Sequence, residues 1–235
     1  MLVPALTVIP DGRKSHGTQT APHPSFQTLE RAQGRFSTCS DIFEQLGDTV
    51  EQARYFIELA WSFRYDKQLD AAKEVASRAL NLLPQEGEQF QVCRCHHAFG
   101  RIYSSEGDTD KAIHHLGIAL GIATSSNWLN SLYAIRFSMA REFLDEGRFD
   151  DAYAHIEHAK LHAANDNDTY LLTCAMWLQA DCWHTQHRFQ EAKSEPLRAV
   201  NVFQKLGALD DAEGVRELLR QIDRDAQEME DLIIP

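Results

Sequence analysis

A pattern of 40 residues runs four times through this chain with no insertion or deletion between copies. Alanine returns at Ala72, Ala112, Ala152 and Ala192, and again at Ala79, Ala119, Ala159 and Ala199. A small residue returns at Ala60, Gly100, Ala140 and Ala180, each followed three places on by an aromatic, Phe63, Tyr103, Phe143 or Trp183. A fixed period of this length marks one supersecondary unit that can bury its apolar face only against its neighbours. The expected fold is a linear array, with function carried on its surfaces.

Each copy reads as two helices. In the second copy His96, Phe99, Gly100 and Tyr103 fall at i, i+3, i+4 and i+7, one stripe of a helix. Gly107-Asp108 then interrupts, and Ala112, Leu116 and Ala119 form the facing stripe of a second helix. Small residues opposite aromatics let two helix axes approach closely. Gly107-Asp108 and Gly147-Arg148 supply turn or cap positions between helices. The pattern predicts ten helices, near 26–46, 49–66, 69–83, 88–106, 109–125, 128–146, 149–163, 168–186, 189–206 and 209–228.

This spacing resembles the tetratricopeptide repeat (TPR) family over residues 53 to about 206. The family's large, small and aromatic residues on the first helix, then Ala-x3-large-x2-Ala on the second, are met best in the second and third copies. Pro84 stands where the family favours a closing proline. The 40-residue copy exceeds the family's usual period of about 34. Polar Arg136 and Gln179 stand where apolar residues are expected, and Pro196 stands inside a second helix, where a kink or break near 192–196 is expected. The resemblance implies an all-α, right-handed α-solenoid of antiparallel helix pairs.

The register continues past the four copies. Phe43-Glu-Gln-Leu-Gly47 and Phe203-Gln-Lys-Leu-Gly207 lie 160 residues apart, and Ala32, Phe36 and Cys39 fall where an earlier second helix belongs. Gly17 to Pro24 cannot be helical. The expected organisation is an irregular arm over 1–24, a partial repeat of one helix over 25–48, four repeats over 49–207, and a capping helix and tail over 208–235. The open half-repeat is a candidate surface for self-association. Ala212, Val215, Leu218, Leu219 and Ile222 make one apolar face of the last helix, whose other face is charged.

Composition removes several function classes. The net charge of −12 disfavours a nucleic-acid partner, since phosphate binding needs a positive field. No stretch approaches 18 apolar residues, and the Met1–Pro10 segment has no basic start and two prolines, unlike a signal peptide. Five cysteines without framework spacing point to reduced thiols in a cytoplasmic protein.

Charge placement points to a working surface. On each first helix the stripe opposite the packed one reads Arg54, Ile57, Trp61, Arg64; then Arg94, His97, Arg101, Ser104; then Ala134, Phe137, Arg141, Leu144; then Cys174, Trp177, Asp181, His184. Five arginines and one acid occupy these sixteen places in an acidic chain. The family resemblance implies that this stripe lines a concave groove for extended peptides or partner helices. Arg54, Trp61, Arg64, Arg94, His97, Arg101, Phe137, Arg141 and Trp177 are therefore the candidate contacts for a protein or peptide with acidic and apolar groups. Arginine grips carboxylates bidentately, and tryptophan and phenylalanine serve as interface anchors. The alternative is that these long side chains merely solvate the inner face. Trp61 stands where chaperone-clamping relatives carry asparagine, so that particular partner is not implied.

No catalytic, metal or cofactor motif is found. His155, His158 and His162 share a helix face, but no cysteine or carboxylate is placed to complete a zinc site, and solvated outer-face histidines are expected. His96 occupies a packing place and is expected in the core. Gly12-Arg-Lys-Ser15 lacks the glycine spacing and the preceding strand of a phosphate loop. Leu83 to Phe90, Asn127-Trp128 and Arg148 to His158 are similar to fungal TPR arrays that follow STAND-class (NACHT/NB-ARC) signalling ATPase modules. The expected function is a non-enzymatic protein-interaction scaffold. A ligand-sensing regulatory domain of such an ATPase, lacking its nucleotide-binding module here, is the alternative.

Overall fold

The computed structural model describes residues 42–43, 45–84, 87–165 and 167–233. Nine helices occupy them: α1 (Thr49–Tyr65), α2 (Leu69–Leu82), α3 (Gln89–Glu106), α4 (Thr109–Ser125), α5 (Leu129–Asp145), α6 (Phe149–Asn165), α7 (Thr169–Thr185), α8 (Phe189–Leu206) and α9 (Leu209–Ile233). All start and stop within a few residues of the expected places, except that α9 continues five residues further. No strand occurs among the described residues. The expected arm, and the partial repeat up to residue 41, lie outside them.

The local chemistry repeats every 20 residues, twice as often as the side-chain pattern. A residue of positive φ recurs at Gly47, Lys67, Gly87, Gly107, Asn127, Gly147, Asn167, His187 and Gly207. At Gly107 the backbone N–H donates to Ser104 O at 3.1 Å and the next N–H, of Asp108, to Tyr103 O at 3.0 Å. The same two bonds recur at Lys67, Asn127, Gly147, Asn167, His187 and Gly207. This is the Schellman closure, which satisfies the last carbonyls of one helix and turns the chain into the next. Asp48, Asp108 and Asp168 then accept from the N–H groups of Glu51, Lys111 and Leu171 at 3.0, 3.2 and 2.9 Å, capping α1, α4 and α7.

The chain forms two compact units that divide within α5, after Ile135. In the first, α1 packs on α2 and α3, α2 on α3, and α3 on α4. In the second, α6 packs on α7, α7 on α8, and α9 on both α8 and α7. Every contact joins near neighbours in sequence, as an array requires. The alanine columns are its seams: Ala72, Ala79, Ala112, Ala119, Ala152, Ala159, Ala192 and Ala199 are all buried.

Two of the three departures from the pattern are accommodated locally, while Arg136 keeps a buried Nε with no hydrogen-bond partner. Gln179 is buried but accepts from Lys160 Nζ at 2.7 Å and donates to Glu157 at 3.5 Å. Arg136 is partly buried, which lowers its pKa. Pro196 does not break its helix: α8 runs unbroken from Phe189 to Leu206 with the proline ring buried in the seam. The ring fills the slot that Ala76, Leu116 and Ile156 fill in other copies, and this burial offsets the lost backbone bond. Pro196→Ala should nonetheless stabilise the chain, since a helix-interior proline costs about 3 kcal/mol and lost ring packing returns only part. A rise in melting temperature of about 2–4 °C per net kcal/mol gained is expected, and an unchanged or lower value refutes it.

The described cysteines behave as core residues. Cys93 Sγ donates to Ala119 O at 3.4 Å and Cys95 Sγ to Ala76 O at 3.3 Å, so one thiol marks the α3–α4 seam and the other the α2–α3 seam. Burial pushes their pKa values up to about 11 and about 12, which keeps them as unreactive thiols at neutral pH. No described helix is long and apolar enough to cross a membrane.

Candidate partner-binding surface

In the first unit α1 and α3 lie side by side and bring five of the nine candidate residues, Trp61, Arg64, Arg94, His97 and Arg101, near one another. The Trp61 and His97 rings meet edge to face at 5.3 Å. The Arg64 guanidinium sits 5.4 Å from the Trp61 ring centre and 4.5 Å from that of Tyr65, and its Nη1 donates to Ser105 Oγ at 3.3 Å. Arg94 donates to the Glu58 carboxylate and, at 3.3 Å, to Gln91 Oε1. Arg54 is exposed and pairs with Glu51 at 3.0 Å. Arg64 and Arg101 are only 4% and 8% exposed.

The electrostatics of this patch are read from His97. Its pKa falls to about 3, first through burial and then through the charges of Arg101, Arg64 and Arg94. The imidazole is therefore neutral at physiological pH, and the charges that act on it are the guanidinium groups of Arg101, Arg64 and Arg94, the last paired with Glu58. Such a field favours a carboxylate, while the Trp61 and Tyr65 faces supply apolar contact.

The second unit places its candidates differently. Arg141 is partly exposed, whereas Phe137 is 5% exposed. Trp177 meets Phe203 edge to face at 6.3 Å and lies against α9, where a Cβ on Gly214 would stand 2.7 Å from the indole. Tyr170 donates to Asp211 at 3.0 Å and His184 Nε2 lies 2.7 Å from Asp225 Oδ2, so α9 runs along α7 as α3 runs along α1. The stripe thus has a second duty that spacing alone hides: consecutive first helices touch along it. Buried Ile57 and Phe137 in the His97 and Trp177 slot were its trace in the sequence. Glu58 and Tyr65 had no such trace, because the Glu58–Arg94 pair spans two repeats.

The outer-face reading of the histidines needs one correction. His158 is exposed, but His155 stacks on Phe143 at 5.4 Å, and its pKa falls to about 4 through burial, Arg136 and His158. Lying three residues beyond Ala152, it points back across the seam toward the first helix of its own copy. His162 is partly buried. His96 lies in the α3–α4 seam as expected, with Nδ1 3.0 Å from His115 Nδ1. No group of three metal-ligating side chains occurs among the described residues.

No protein-family model and no curated protein matches this sequence. Solved structures do match in fold. Aspartyl phosphate phosphatase F from Bacillus subtilis superposes with a TM-score of 0.69 at 18% identity, over 82% of this chain and 52% of that one. A Rap protein complexed with competence and sporulation factor gives 0.58 at 18% identity, over 82% and 58%. A putative kinesin light chain from Podospora anserina, with nearly identical TPR-like repeats, gives 0.52 at 17% identity, over 75% and 97%. This chain spans about half the length of the phosphatase. The fold is TPR-like. It is an all-α helical-repeat solenoid of consecutively packed helix pairs.

Proposed function

We propose that this protein is a non-enzymatic interaction module that binds an acidic, apolar-anchored peptide or partner helix on its first-helix faces. The observation that carries this reading is the positive patch on α1 and α3, where Arg64, Arg94 and Arg101 converge on a neutral His97 beside Trp61 in a chain of net charge −12. Arg54 and Arg94 make the outer contacts, Trp61 anchors, and Arg64, His97 and Arg101 form the floor. In the second unit Arg141, at the template place of Arg101 but partly exposed, is the charged contact, with Phe137 and Trp177 as apolar backing. A fold neighbour complexed with competence and sporulation factor supports ligand capture by this architecture.

The test is capture from a native extract followed by affinity measurement on the recovered partner. Arg54→Glu or Arg94→Glu should weaken binding by about 0.5–2 kcal/mol, and Trp61→Ala by at least as much. Binding should weaken as salt rises. His158→Glu on the exposed outer face should leave binding nearly unchanged. Loss of binding in His158→Glu with normal binding in the arginine variants would move the working surface to the other side.

A further inference from the structure

One pair of template places changes character from copy to copy. It holds Phe56 and Val75 in the first, His96 and His115 in the second, Arg136 and His155 in the third, and Met176 and Glu195 in the fourth. In the second copy the two residues face each other across the seam between its helices. In the second copy the Nδ1 atoms are 3.0 Å apart while the ring centres are 5.2 Å apart. The centre separation exceeds the nitrogen separation by about two ring radii, so the nitrogens point at each other. One imidazole donates its Nδ1–H and the other accepts. Phe99 and Tyr103 stack on His115 at 4.9 and 5.4 Å, leaving the pair against hydrocarbon on that side.

Few charged groups stand near the pair. His114 stands beside it on α4, and Lys111 lies over Tyr103 at 5.2 Å with its charge paired to Asp108 at 2.6 Å. The opposite sides of α3 meet Ala76 of α2 and Glu58, Trp61 and Arg64 of α1, through Cys95, Arg94, His97 and Ser105. No carboxylate is among the groups that set the protonation of either imidazole. One added proton can still be shared between the nitrogens, but a second leaves two facing cations with no counter-ion.

We propose that His96 and His115 form an acid-released latch, closing α3 on α4 at neutral pH and opening that seam when both imidazoles are protonated. The sign follows from linkage. Burial lowers both pKa values, that of His115 to about 4, so the closed seam binds fewer protons than the open one and loses stability as pH falls below about 6.5. Because α3 also carries Arg94, His97 and Arg101, release of the latch loosens the helix that bears the positive patch.

Two buried thiols on α3 read the latch. Cys93 reports its α4 side and Cys95 its α2 side. The full chain is treated with 4,4′-dithiodipyridine at pH 7.5 and pH 4.5, and each modified cysteine is quantified by peptide mass spectrometry. Rates are normalised to a free thiol at the same pH. Acid should speed labelling of Cys93 at least tenfold over that of Cys95. Replacing the pair with that of the first copy, His96→Phe with His115→Val, should abolish the acid effect on Cys93. Equal exposure of Cys93 and Cys95 in acid, continued protection of Cys93, or unchanged acid labelling in the double variant would each overturn the latch. The wild-type comparison of the two thiols decides the matter even if the double variant fails to fold.

Discussion

Leu116→Ala is expected to destabilise this chain by about 2–5 kcal/mol, and Gly100→Ala to undo part of that loss when the two are combined. Leu116 is fully buried, and a Cβ on Gly100 would stand 2.6 Å from its Cγ and 2.7 Å from its Cδ2. Alone, Gly100→Ala therefore overpacks a closed seam at about 1–3 kcal/mol, offset by about 1 kcal/mol of better helix propensity. Between the first two copies the places trade volume, with Ala60 and Ala76 where the second has Gly100 and Leu116; the third holds Ala140 with the β-branched Ile156. The double variant recreates the first copy's pair. It should be more stable than the sum of the single effects by about 1–2 kcal/mol, read from denaturant midpoints at constant slope. Strict additivity would mean that the leucine does not fill the space the glycine leaves.

The same trade shows what was legible beforehand. Helix positions followed from the alanine columns and the small–aromatic spacing, because those residues mark seams that repeat without drift. The binding face was harder to read. Its stripe mixes residues that touch the neighbouring first helix, such as Ile57, with others that reach solvent, such as Arg54. A helix in an array packs on more than one side, so one stripe cannot be assigned a single duty from periodicity. His155 was misplaced for a related reason: a polar residue can belong to a seam when an aromatic face accepts it, and Phe143 does so. The turns hid their geometry where glycine was absent. Gly107 and Gly207 announce a left-handed residue, but nothing about Lys67 or His187 does; only the 20-residue recurrence of the conformation places them.

Those turns carry the last expected result. Lys67 and His187 hold φ of 60° and 58°, a conformation that costs a side-chain-bearing residue about 1–2 kcal/mol. Glycine at either place removes that cost and gives back part of it as extra freedom of the unfolded chain. Conversely, Gly117 and Gly121 lie inside α4, exposed, and a Cβ on either would meet nothing within 4 Å. Alanine there should gain about 0.5–1 kcal/mol at each place through helix propensity alone. Lys67→Gly should gain more than His187→Gly, because His187 gives up an edge contact with Phe189 at 5.8 Å. Asn127 and Asn167 have the same positive φ, but asparagine tolerates it, so glycine there should gain little. Combining Lys67→Gly, His187→Gly, Gly117→Ala and Gly121→Ala should add about 2–4 kcal/mol, since most of these sites share no partners. That corresponds to a melting temperature higher by about 4–16 °C. If the two alanine changes instead destabilise the isolated chain, the outer face of α4 is not open, and the exposure assigned to those glycines is wrong. If they stabilise the chain but weaken partner capture, the glycines admit a close-packed partner on that face, and the binding surface extends beyond the arginine patch.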